Sequence, residues 1–140
     1  MEDRYLFKAK RLDNGEWVIG NLIQNPFFKG VRSWISSEQE DKTRLRSISR
    51  TQALWNSIEV DSSTICQCTG LKDKNGNLIW ENDIVKINNS KVNTVITFRD
   101  FEIICTIPNE KYYKHRLEYD TEYEVIGNKF DNPELLESEE

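Results

Sequence analysis

Turn signals stand close together along this chain, and the runs between them are short, alternating and strand-like. That spacing constrains the fold more than any other feature. In Tyr5 to Arg11 (YLFKAKR), Tyr5, Phe7 and Ala9 share one face, with Leu6, Lys8 and Lys10 on the other. Asn14-Gly15 then supplies turn chemistry, and the following run (WVIGNLIQ) sets Trp17, Ile19 and Ile23 opposite Val18 and Leu22. Together they predict a first hairpin. Pro26 and Gly30 mark a loop before VRSWIS restarts extended structure. Further on, IEV and TICQCTG flank a polar DSST, DIVKI reads as a strand, and the β-branched runs KVNTVITF and EIICTI meet at Arg99-Asp100. YEVIGN, closed by Gly127-Asn128, is the last strand. The stretch from Ser37 to Asn56 reads either as a short helix from a serine cap or as a polar loop leading into a strand. No repeat or low-complexity block interrupts the pattern. A mainly β chain with little helix, built as a small barrel or sandwich rather than from βαβ units, is the expected class, with α+β as the alternative.

At 140 residues the chain has one domain's worth of sequence, or one with a small appended lobe, and can form a core without staples. Charged residues are 31% of the chain and no apolar run nears the ~20 residues of a membrane span, so a globular protein without membrane contact is expected. Acids follow Met1 at once, where a secretory signal would carry an apolar run. With three cysteines, an odd number, this predicts free thiols and a cytoplasmic location. From Leu117 onward nine acids face one base, a segment of −8; with −5 overall, the first 116 residues carry +3. The acidic end reads as solvated and argues against nucleic-acid binding by the whole protein.

Four constellations invite chemistry. Asp73, Asn75 and Asn77 imitate the first, third and fifth positions of a calcium loop, but Leu78 and Ile84 stand where it needs Gly and Glu. The better reading of KDKNGNLIW is a hairpin with Asn75-Gly76 as a type I′ turn, both residues at φ > 0. Cys66 and Cys68 are spaced too closely for a zinc knuckle and would share a strand face, so two buried thiols are expected, with no metal and no cofactor. The single histidine, His115 between Lys114 and Arg116, reads as a surface residue, and no nucleophile elbow, phosphate loop or dinucleotide fingerprint occurs, so the chain is not expected to be an enzyme. Lys42, Arg44, Arg46 and Arg50 crowd nine residues with no acid among them. If extended, they form a basic ridge able to meet phosphates; otherwise they are a solvated loop or helix face. Trp17, Trp34, Trp55 and Trp80 each have apolar neighbours, which favours core or subunit-interface anchors over base-stacking platforms.

The run from Thr69 to Ile87 (TGLKDKNGNLIWENDIVKI), the run from Val125 to Leu136 (VIGNKFDNPELL) and the spacing of Trp17, Gly20 and Leu22 resemble the YopX family of phage and prophage proteins. The family usually has glycine where Asn82 stands before Asp83, and asparagine is the next-best residue for a left-handed turn. An aromatic is common where Cys68 stands. The resemblance implies a β-rich fold with a small SH3-like barrel and a tendency to homo-oligomerise; it implies no activity and no catalytic residues. On that basis residues 1–60 form a β-rich lobe, 61–136 the barrel region with both motifs, and 137–140 an acidic tail. Asn75, Gly76, Asn82, Asp83 and Gly127 are expected as structural turn residues, with the Asp83 carboxylate accepting backbone N–H bonds. The leading functional expectation is an accessory protein of the host bacterial cytoplasm that self-associates and acts by binding a host or phage protein. Nucleic-acid binding through Lys42–Arg50 is the alternative.

Overall fold

The computed structural model describes residues 5–25, 32–36, 57–88, 90–99, 102–108, 115–118 and 121–137. It is mainly β and antiparallel throughout, and the only helical pieces among the described residues are short 3-10 turns, including Ser62–Thr64 and Pro133–Leu136. The chain divides into two compact units, Glu2–Gln67 and Cys68–Glu140.

In the first unit β1 (Phe7–Lys10) pairs with β2 (Trp17–Asn25), β2 with β3 (Arg32–Ser36), and β3 with β4 (Ile58–Val60). The opening residues of β5 (Cys66–Lys72) lie against the other edge of β1, Lys8 opposite Cys66. The β1–β2 loop closes on Arg11 and Glu16, whose backbones are joined by a 2.9 Å bond, and Gly15 takes the left-handed conformation the loop needs, φ 74°. Alternation then decides what is buried. Ala9, Ile35 and Val60 form the core, with Val18, Leu22 and Ile65 packed on them. Thr64 joins the 3-10 turn to the sheet: its hydroxyl accepts from Lys10 N at 2.8 Å and donates to Asp61 O at 2.7 Å.

The second unit carries a five-stranded sheet, β10 (His115–Arg116), β9 (Glu102–Thr106), β8 (Thr94–Arg99), β7 (Asp83–Ile87) and β11 (Tyr123–Asn128), in that spatial order. The rest of β5 pairs with β6 (Leu78–Trp80). Ile79, Val85, Ile96, Cys105 and Tyr123 make a buried core, flanked by Leu71, Ile87, Phe98, Ile103, Leu117 and Val125. The alternating runs of β7, β8 and β9 supply most of it, one residue in two from each strand.

Candidate functional site

The two most distinctive sequence motifs, some fifty residues apart, meet at one side chain. Asp73 directly follows β5 and is buried, 6% exposed. Its Oδ1 accepts from Asn75 N and Asn77 N, each at 2.9 Å, and its Oδ2 from Val125 N in β11 at 3.0 Å. Lys74 N donates to Tyr123 O at 2.8 Å, so the hairpin tip is stitched to the last strand twice. Burial opposes the charge on Asp73, but the backbone donors of Val125, Asn77 and Asn75 outweigh it and hold the carboxyl below the usual aspartate range. This arrangement satisfies three backbone donors with one carboxylate.

The β5–β6 turn differs from the expected type I′ pair. Gly76 has φ 84°, but Asn75 is not left-handed. Gly76 N donates to Asp73 O at 3.0 Å and Asp73 N to Asn77 O at 2.8 Å, giving a three-residue loop with a left-handed glycine at its end. The Asp73 carboxylate, by taking the N–H groups of Asn75 and Asn77, favours this longer loop. Farther up β5 the ladder is irregular between Cys68 and Lys72, with Gly70 at φ 83°. The Thr69 hydroxyl fills that gap, donating to Ile79 O at 2.7 Å and accepting from Leu71 N at 3.1 Å.

At the start of β7, Asn82 is left-handed, φ 72°, and the buried Asp83 carboxylate accepts from Trp80 N at 2.8 Å. Asn82 N donates to Ile96 O and its carbonyl accepts from Lys129 N, tying the turn to β8 and to the residues after β11. Gly127 has a different role from the turn expected of it. It lies inside β11, beside a register shift between Val125 and Gly127, and a Cβ there would stand 2.5 Å from Asn132 Oδ1. The glycine admits the Asn132 carboxamide, which accepts from Asn128 N at 3.2 Å. The turn itself is made by Asn128, whose Oδ1 accepts from Phe130 N and Asp131 N before Pro133 opens the last 3-10 turn.

The remaining reactive groups are also packed. His115 is half-buried rather than on the surface, with Nε2 3.2 Å from the Tyr123 hydroxyl, which also accepts from Glu118 N at 2.9 Å. Burial raises the Tyr123 phenol above its ordinary value and pushes the Cys105 thiol up to about 11. Cys66, Cys68 and Cys105 are buried thiols outside any disulfide, and the Cys66 thiol donates to Thr64 O at 3.3 Å. Among the described residues no three His, Cys, Asp or Glu side chains gather as a metal site would require. Lys42, Arg44, Arg46 and Arg50, with Trp55, lie outside the described residues.

What the sequence reading missed is the outer face of the first unit's sheet. Trp80 is buried, but Trp17 and Trp34 belong to neither core. Trp17 pairs across the strands with Lys10, and its ring has Lys10 Nζ 5.5 Å and Lys8 Nζ 4.8 Å from its centroid. Trp34 pairs with Ile23, and the Arg32 guanidinium carbon lies over its ring, 5.2 Å from the centroid. The alternation of YLFKAKR and WVIGNLIQ already places Lys8, Lys10, Trp17, Ile19 and Ile23 together once their hairpin register is known.

The family described as YopX protein matches this chain over residues 6–137. Among solved structures, the crystal structure of protein EF1440 from Enterococcus faecalis is similar, with 25% sequence identity and a TM-score of 0.50. The likeness covers 94% of this chain and 96% of that one. A search of curated proteins found no match.

Proposed function

The chain belongs to the YopX family, and from that premise we propose that it is a phage- or prophage-encoded accessory protein of the host cytoplasm, self-associating and acting by binding rather than catalysis. The observation that carries the reading is how the motif side chains are used. The carboxylates of Asp73 and Asp83 and the Asn128 carboxamide accept backbone N–H groups, so the polar residues of both motifs hold strands in place. An enzyme of this size would spend some of its most distinctive polar side chains on a substrate. Self-association is favoured by the family resemblance and by β10 and β11, which end their sheet among the described residues; a strand edge is a template for another chain. On the same resemblance we take residues 61–136 as a small SH3-like barrel. Light scattering should give a mass well above 16.5 kDa, and a clean monomer across the micromolar range overturns self-association. The second reading is nucleic-acid contact through Lys42, Arg44, Arg46 and Arg50, favoured by four bases in nine residues without an acid. It requires that Arg44→Ala with Arg46→Ala weaken binding and reduce its dependence on salt.

A further inference from the structure

We propose that Asn75 is a site of spontaneous covalent modification: the Gly76 nitrogen closes on the Asn75 carboxamide and leaves isoaspartate in the β5–β6 loop, loosening its hold on β11. The inference goes beyond the binding reading and does not depend on it. Two asparagines of the chain precede glycine, Asn14 and Asn75, and glycine leaves the attacking nitrogen without a Cβ to shield it. Both pairs are exposed, and a Cβ built on either glycine would meet nothing within 4 Å, so both nitrogens are open to approach. What separates the two is how the carboxamide is held. Asn14 Oδ1 accepts from Glu16 N at 2.9 Å, its Nδ2 donates to Glu16 Oε2 at 3.4 Å, and Gly15 N donates to Arg11 O at 2.9 Å. Among the described residues the Asn75 carboxamide makes no hydrogen bond; the Asp73 carboxylate takes Asn75 by its backbone N–H instead. Gly76 N has one bond to give up, to Asp73 O at 3.0 Å, before it can turn towards the carboxamide. At Asn14 the carboxamide's own two bonds have to break as well.

The chemistry balances with water alone. Gly76 N attacks Asn75 Cγ, the new N–C bond closes a five-membered imide, and the proton from Gly76 N leaves with the carboxamide nitrogen as ammonia. Water then opens the ring, its hydroxyl going to one carbonyl carbon and its proton back to the nitrogen. Opening at Cγ gives aspartate. Opening at the main-chain carbonyl gives isoaspartate, in which the chain runs through Cβ and Cγ and gains a methylene. The loop is a tight one, Lys74 to Gly76 between Asp73 and Asn77, with Asp73 N donating to Asn77 O at 2.8 Å. The extra methylene lengthens it, and the new carboxylate lies two residues from Asp73, a like charge beside a carboxylate that carries three backbone N–H groups. Because Asp73 Oδ2 accepts from Val125 N and Lys74 N donates to Tyr123 O, a change in the loop reaches β11 directly.

The test incubates the whole protein in mildly alkaline buffer at about 37 °C and follows the proteolytic peptides carrying Asn14 and Asn75 for a gain of about 1 Da. Labelling by isoaspartyl methyltransferase identifies the product. In the folded protein Asn75 should react about tenfold faster than Asn14, and in urea the two rates should agree within about twofold, since the loops then no longer differ. The aged protein should lose roughly 0.5 M of its urea midpoint. Asn75→Gln, whose longer side chain would have to close a six-membered ring, should keep its midpoint through the same incubation. Reaction at Asn14 as fast as at Asn75 in the folded protein overturns the proposal, as does an Asn75 that stays intact when folded and reacts only in urea. A gap between the two sites that persists in urea also overturns it, because local sequence rather than the loop then sets the rate. So does a modified Asn75 with an unchanged midpoint, or a midpoint loss that Asn75→Gln shares.

Discussion

The two units solve the same problem of a small antiparallel sheet by different means. In Glu2–Gln67 a compact core of Ala9, Ile35 and Val60 is covered by Val18, Leu22 and Ile65, while the opposite face collects tryptophan, isoleucine and lysine. In Cys68–Glu140 a larger core is joined to buried polar side chains, Thr69, Asp73 and Asp83, that take up backbone groups where the ladder fails. The unit richest in signature residues thus uses them on its own architecture. The unit poorer in them places tryptophan, isoleucine and lysine on the face away from its core.

That contrast can be broken by substitution. Asp73→Ala removes a buried acceptor from three backbone donors at once and should cost about 3 kcal/mol, read as a lower urea midpoint; a loss below about 1 kcal/mol would remove the hub from the account. The carboxyl's folded pKa is depressed, so its contribution is complete above the ordinary aspartate value near pH 4 and is lost as pH falls through the lower, folded value. Asp73→Asn should therefore flatten the acid limb of the stability profile and leave the region above pH 6 parallel to the parent. Gly127→Ala comes next, at about 2 kcal/mol, because its Cβ would overlap the Asn132 carboxamide. In a double-mutant cycle Asn132→Ala should recover much of that loss, whereas additive effects would point to backbone conformation instead. The counterpart in the first unit is Asp61, whose carboxylate accepts from Ser63 N at 3.0 Å and caps the Ser62–Thr64 turn. Asp61→Ala should cost only about 1 kcal/mol, an ordinary cap; a cost equal to that of Asp73→Ala would erase the distinction between the units.

Much of the strand pattern was legible because burial on one face writes itself as alternation. The first hairpin and YEVIGN are of this kind, at β1–β2 and β11, whereas in DIVKI, at β7, the adjacent Ile84 and Val85 are both fully buried and the strand shows instead in its β-branched run. Local turn chemistry was half legible. Asn75-Gly76 marked a hairpin, but the loop form depends on Asp73, two residues earlier, competing for N–H groups, and a dipeptide preference carries no trace of that. Gly127 shows a similar limit: it sits in a strand, and its reason is a carboxamide five residues on. The meeting of Asp73 with Val125 could not be read at all, since a side-chain bond across 52 residues leaves no period in the sequence. For Trp17 and Trp34, read as core or subunit-interface anchors, the structure removes only the core half, because pairing register rather than neighbourhood decides which face they take.

The strand order of the second unit also sets an order in time. β7, β8, β9 and β10 follow one another as a meander, each pairing with the next along the chain. β11 returns to pair with β7, Tyr123 opposite Ile87, across a loop of some 35 residues. Closing that loop rather than a two-residue link costs roughly 2–3 kcal/mol more in chain entropy, so the meander should form first and β11 should dock late. Gly127→Ala, placed in the late strand, should accordingly speed unfolding while leaving the refolding rate almost untouched. The segment that carries VIGN-NPELL would then be the last to commit and the first to leave.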